Sequence, residues 1–325
     1  MVDDSSLLFL KQKSIETILK GQASSGAYIA GPTFTVYNFS WFRDGSFIAD
    51  AMSRVGEIKS AEAFFDWGAK IIESKKESLL NGGLLHARYT ALGEESLDEW
   101  PNFQLDGFGT FIWALYSHAA RHTRDIKKWL PAIEITVDYL VKKWREPSFD
   151  WWEEYAGIHP ATLASIYAGL LAAGHPEALE VRKAIDLKNA KLDASLIVTV
   201  TPFQAVTKKN FEPTLREIES KLVSAGGGVH RHQTDVYYGG GEWLLLTCFL
   251  AWHYVVLGRT EDARKKLERV CIFMDENGWL PEQTSEYMLA PEHYEGWVKK
   301  WGQSARPLLW SHAMFLTVLS VLGIQ

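Results

Sequence analysis

The sequence predicts an all-α fold built as two concentric rings of helices. Three features carry that reading. Apolar residues recur with the 3.6-residue helical period along most of the chain. The helical segments alternate between apolar nearly all round and apolar along one stripe. No glycine/serine linker or charge run divides the 325 residues, so one domain spanning 1–325 is expected. A helix apolar all round is buried and a striped one lies at the surface, so their alternation sets one layer inside the other.

About twelve segments follow in order: 4–20, 44–56, 58–77, 106–122, 126–145, 160–174, 177–189, 192–199, 212–224, 241–257, 260–276 and 306–323. Those at 44–56, 106–122, 160–174, 241–257 and 306–323 are the inner kind, as in DGFGTFIWALYSHAA from Asp106. Those at 58–77, 126–145 and 260–276 are the outer kind; in the last, Ala263, Leu267, Val270 and Met274 form the stripe. The stretch 192–199, LDASLIVT, is short and β-branched and reads equally as helix or strand.

Composition narrows the function. A net charge of −6, with Lys and Arg nowhere massed, argues against binding a phosphate backbone, so no nucleic-acid partner is expected. The N-terminus MVDDSSLLFLKQKS carries acids where a secretory leader needs positive charge, and no leader is expected. The longest apolar stretch, Trp243–Gly258, is too short for a bilayer and contains His253, so neither is a membrane partner. Cys248 and Cys271 read as core thiols of a reducing compartment, which suggests a cytoplasmic protein. Fourteen tryptophans are more than a core needs, and Trp41, Trp100, Trp151 and Trp152 sit beside charged residues. Indole faces next to carboxylates suit carbohydrate, whose C–H faces stack on rings while its hydroxyls bond to charged groups. No cofactor or metal is expected. The glycine clusters lack dinucleotide or Walker spacing, and the His230–His232 pair has no third ligand at zincin spacing.

The chemically rich stretches fall just before inner helices: Trp41-Phe-Arg-Asp44, Trp100 to Asp106, Trp151-Trp-Glu-Glu154, Arg231 to Trp243 and Leu280-Pro-Glu-Gln283. In a ring of helical hairpins all inner helices start at one end, so these stretches converge on one mouth. Taken singly, Arg43–Asp44 reads as a charge pair at a helix start, and Asp106 as a helix cap. Glu153 and Glu154, beside two tryptophans, read as a place where apolar walls and a like charge raise a carboxyl pKa, as a general acid requires. Glu282 alone is uninformative.

Together the stretches YNFSWFRDG (37–45), WPNFQLDGFG (100–109), DWWEEYAGIHPAT (150–162), RHQTDVYYGGGEW (231–243), LPEQ (280–283) and PLLWSHA (307–313) resemble glycoside hydrolase family 15, the glucoamylase family, in the family's own order. The resemblance runs from about residue 37 to the C-terminus and implies an (α/α)6 barrel, a six-hairpin toroid. It implies that Glu153 protonates the glycosidic oxygen and Glu282 activates water. Glu154 would hold sugar beyond the cut, and Arg43 and Asp44 would grip the terminal glucose. Tyr37 would stand beside the developing oxocarbenium ion, Trp100 would pack against the acid, and Arg231 would lie at the cleavage point. Trp41, Trp152 and Trp310 fall in the same stretches and are expected to face substrate.

The implied activity is an exo-acting, inverting α-glucosidase that releases β-glucose. Trehalose hydrolysis on the same scaffold, or a sugar-sensing barrel, are the alternatives. The β-sandwich or starch-binding domains that relatives often carry have no counterpart here, which favours a short soluble α-glucoside, such as an α-1,4- or α-1,6-linked one. An inverting pair would stand about 6.5–9.5 Å apart, leaving room for water.

Overall fold

The computed structural model describes residues 4–324. Met1–Asp3 and Gln325 lie outside the described residues, and with them the start of the run read for a secretory leader. The helices in chain order are α1 (Asp4–Gly21), α2 (Phe42–Arg54), α3 (Ile58–Ser74), α4 (Lys76–Leu80), α5 (Asp106–His122), α6 (Leu130–Lys143) and α7 (Pro160–Ala172). They continue as α8 (Ala178–Lys183), α9 (Lys208–Lys221), α10 (Leu244–Val256), α11 (Thr260–Cys271), α12 (Tyr294–Trp301) and α13 (Leu309–Val321).

The inner ring closes on itself. α2 packs on α5, α5 on α7, α7 on the 3-10 segment Ala194–Thr199, that segment on α10, α10 on α13, and α13 back on α2. Around it, α1 lies on α13, α3 on α2, α6 on α3 and α5, α8 on α7, α9 on the 3-10 segment and α11 on α10. The two rings follow from apolar patterning. Every residue of α10 from Leu244 to Tyr254 is buried, whereas α11 buries only Ala263, Lys266, Leu267 and Val270. The closest inner contact needs glycine: a Cβ on Gly109 would fall 2.4 Å from the Ser165 carbonyl oxygen, and one on Gly169 2.6 Å from that of Gly109.

The stretch 192–199, open between helix and strand, forms the sixth stave in 3-10 geometry, with the Asp193 carboxylate accepting from the Ser195 amide at 2.7 Å. The segment expected over 177–189 shortens to α8. Neither α4 nor α12 is visible in the coarse period.

Two short antiparallel pairs fix the rim loops. β1 (Ser40–Trp41) pairs with β2 (Arg88–Tyr89), setting Trp41 opposite Arg88. β3 (Ser148–Phe149) pairs with β4 (Ala156–Gly157). Below the rim, aromatic rings plug the barrel axis. Phe47 of α2 stacks on Trp310 at 5.4 Å and meets Phe249 at 5.2 Å, Trp151 at 5.9 Å, and Phe203 and Trp113 at 6.0 Å. Among the described residues no helix is long and apolar enough to cross a membrane.

Candidate active site

Above that plug lies a cavity of about 400 Å³, lined by Tyr37, Trp41, Arg43, Asp44, Trp100, Trp152, Glu153, Glu154, Arg231, Glu282 and Trp310. Every residue to which the resemblance gives a catalytic or sugar-binding role therefore reaches one space, at the end where the inner helices begin.

Glu153 and Glu154 sit at the tip of the β3–β4 hairpin. Asp150 organises this tip: its carbonyl accepts from the Glu153 amide at 3.1 Å and its Oδ1 from the Glu154 amide at 2.8 Å. Glu153 takes the left-handed conformation, φ +65°, which an L-residue adopts at some cost and which recurs at functional sites. That twist sends the two glutamates apart. Glu153 Oε1 accepts from Trp41 Nε1 at 2.7 Å and Gln104 Nε2 at 2.8 Å, with Arg43 Nη2 at 3.6 Å. No hydrogen bond from the described residues reaches its Oε2. Glu154 turns to Arg231, 2.9 Å away, and His232, 3.4 Å away. Burial would raise the Glu154 pKa, but His232 and Arg231 together hold it below the ordinary glutamate value.

The two tryptophans that precede Glu153 in the sequence take other partners. Trp151 joins the floor, while Trp152 donates to Asp193 at 2.7 Å and packs on Trp243. The ring that touches the acid is Trp41, with Trp100 edge-on behind it at 5.9 Å.

The reading of Asp106 is corrected. It is not a cap but a first-turn residue of α5 that accepts from Arg43 Nη1 at 3.0 Å; Gln104 Oε1 accepts from the same nitrogen at 2.8 Å. Arg43 is thus fixed as a plane over Trp151 and Trp310, its centre 5.9 and 5.8 Å from the ring centroids. Its Nε faces Asp44 Oδ1 at 3.6 Å, too far for a hydrogen bond, and both atoms are buried without a partner. Burial pushes the Asp44 carboxyl up to about 7 against the pull of Arg43. An unbonded buried pair in the cavity wall is an exception that packing alone leaves unsatisfied.

Glu282 stands on an extended segment pinned by its amide to the Ala305 carbonyl at 2.9 Å. The Tyr37 hydroxyl donates to its Oε1 at 2.9 Å and Ser304 to its Oε2 at 3.4 Å, while Tyr237 bonds Tyr37 at 2.8 Å. Burial pushes Glu282 up to about 8, with Tyr37 and Arg231 opposing. The glutamate of LPEQ, on which the local sequence is silent, is thus lifted by its surroundings.

Arg231 is held by Asp235 through Nε at 2.8 Å and lies among the rings of Trp243, Trp152 and Tyr237, at 5.1, 5.2 and 5.4 Å. Glu154, His232 and Asp235 have the proximity of a metal cluster. The Arg231 guanidinium, bonded to both acids, already occupies the position a cation would need.

Sequence reasoning missed Tyr237, Trp297 and Trp301, which also line the cavity. The last two come from α12, where Tyr294, Trp297, Val298 and Trp301 carry a one-face helical spacing that reveals the helix once sought.

With this geometry in hand, comparisons with known proteins add the following. The sequence model described as glycosyl hydrolases family 15 matches residues 6–181. The isomaltose glucohydrolase of Kribbella flavida is 35% identical to this chain, over 97% of it and 93% of the relative. A solved glycosidase variant in complex with glucose is 35% identical and superposes with a TM-score of 0.94 over 99% of this chain and 98% of that one. The glucoamylase of Hormoconis resinae, at 17% identity, shares the fold with a TM-score of 0.76 over 99% of this chain and 74% of that one.

Proposed function

Because this chain belongs to glycosyl hydrolase family 15, and so is an O-glycosyl hydrolase, we propose that it is an exo-acting, inverting α-glucosidase of short α-glucosides. The observation that carries the reading is the lining of the cavity. Two carboxylates, Glu153 and Glu282, reach it from different loops, and Arg43, Asp44 and Arg231 are poised to fix a sugar ring between them. Isomaltose is the first substrate to try, since the Kribbella relative is a glucohydrolase of that disaccharide. The whole chain, 1–325, acts as one catalytic barrel on this reading, supported by a contiguous core from Leu7 to Ile324. The unlinked cysteines Cys248 and Cys271 support a reducing, cytoplasmic setting.

In this mechanism the free Oε2 of Glu153 carries a proton to the glycosidic oxygen as the bond from that oxygen to C1 breaks. Water attacks C1 from the opposite face, and its proton passes to Glu282. Glu282 works only when ionised, so its raised pKa sets how high the pH must rise before the base is ready. Tyr37, donating to Oε1, favours the ionised form.

Incubation with maltose, isomaltose, trehalose and maltotriose, followed by proton NMR from the first minutes, tests the reading. The expected result is glucose release from a short α-glucoside, with β-glucose appearing before mutarotation. Release of α-glucose first would require a covalent intermediate and end the assignment of Glu282 as base.

A further inference from the structure

We propose that Arg88 is a positioning residue for the proton donor: from behind the cleft wall it clamps Trp41 and Trp100 and holds a buried positive charge at the back of Glu153. The inference rests on the assignment of Glu153 as the acid.

Arg88 lies on β2 directly opposite Trp41 of β1, so the two side chains leave the ladder on the same face. Its guanidinium centre is 3.7 Å from the Trp100 ring centroid, 4.2 Å from that of Phe39 and 5.4 Å from that of Trp41. The residue is 1% exposed, yet it lacks the bidentate carboxylate that a buried guanidinium usually finds. Nη1 reaches the Val36 carbonyl only at 3.4 Å, and Nε has no partner. The nearest acid, Asp98 at 3.7 Å, is on an exposed side chain. Aromatic faces take the place of counter-ions. An apolar side chain would fill the gap between the rings without burying a charge, so filling space does not explain an arginine here.

The charge bears on the acid through Trp41, whose indole N–H donates to Glu153 Oε1 at 2.7 Å. Glu153 is also within electrostatic reach of Arg88. The other charges facing Glu153 come from α2 and α5. Arg43 is 3.6 Å from it, but that guanidinium also answers Asp106 at 3.0 Å and Asp44 at 3.6 Å. Glu154 is neutralised by Arg231. Arg88 is the cation near the acid whose charge no buried carboxylate offsets. As Glu153 loses its proton to the leaving oxygen, a fixed positive charge behind it stabilises the carboxylate being formed.

The test compares R88M, R88K and E153Q on an α-linked disaccharide and on α-glucosyl fluoride, whose leaving group needs little protonation. R88M is expected to lower kcat on the disaccharide about tenfold, less than loss of a direct transition-state donor. KM should change little. Turnover of the fluoride should be largely spared. R88K, which keeps the charge, should recover much of the disaccharide kcat. Equal losses on both substrates would overturn the proposal and leave Arg88 a packing residue. Should R88M lose its helical circular dichroism, R88K decides: a loss confined to the disaccharide supports the proposal, and an equal loss on both substrates overturns it. E153Q separates the two ideas. If it loses the fluoride along with the disaccharide, the acid assignment fails whatever Arg88 does.

Discussion

The two ends of α2 each bury an aspartate beside an arginine, and they are built to opposite rules. At the closed end, Asp50 accepts from Arg54 at 2.7 Å and Arg121 at 2.8 Å, one on each oxygen. Burial alone would raise its pKa, yet those two cations hold it below the ordinary value. At the mouth, Asp44 faces Arg43 at a distance too long to bond, keeps Oδ1 unpaired, and is pushed up to about 7. One helix thus carries a satisfied buried charge, which holds the barrel together, and an unsatisfied one, which waits for a partner. Burial does not distinguish them; what their lone pairs touch does.

The largest effect that would break this comparison is on folding. Asp50→Ala strands two cations and should lower stability by about 3 kcal/mol, the low end for a broken buried pair because Arg54 and Arg121 still reach solvent. Its kcat should stay near wild type; denaturant unfolding and steady-state kinetics check both. Asp44→Ala should do the reverse, lowering kcat/KM by about 10²-fold through a loosened sugar while leaving the unfolding midpoint unchanged or higher. A D44A variant that unfolds early but turns over normally would make Asp44 a structural charge like Asp50.

The third effect is one of sign, in the pH dependence. Glu282 has a folded pKa of about 8, above the ordinary 4.5, so the native state binds its proton more tightly than the unfolded chain does. Its contribution to stability is full below 4.5 and is lost as pH rises toward about 8. Asp50, with a lowered pKa, contributes in the opposite direction: its stabilisation is present above the ordinary aspartate value and is lost as pH falls. Glu282→Gln should therefore gain on wild type in thermal midpoint as pH rises through that window, while losing activity. A gap between the two proteins that stays constant with pH would contradict the burial of Glu282.

How much of this was legible in the sequence depends on whether periodicity or loop geometry decided the matter. The rings, and the convergence of Arg43, Asp44, Glu153, Arg231 and Glu282 on one mouth, follow from where apolar segments begin. The direction each loop side chain takes does not. Nothing in Trp-Trp-Glu-Glu announces that Glu153 adopts φ +65° and so faces Trp41 while Glu154 faces Arg231. Asp106 looked like a cap because first-turn aspartates often are; its true partner lies far off in the chain, on α2. The 3-10 stave resisted assignment because Ile197, Val198 and Thr199 are stiff at χ1, which disfavours a helix and favours a strand, inside a run too short for its period to decide.

The aromatic plug beneath the cavity has a consequence for traffic. Phe47 stacks on Trp310 and meets Trp151, Phe203 and Phe249 edge-on or tilted, so among the described residues aromatic rings close off the floor beneath the cavity. On the proposed reading, a glucose unit freed on that floor leaves toward the mouth by which the substrate came, past the sugar released ahead of it. Arrival and departure then contend for the same floor, and accumulated glucose is expected to compete with the substrate in product-inhibition kinetics.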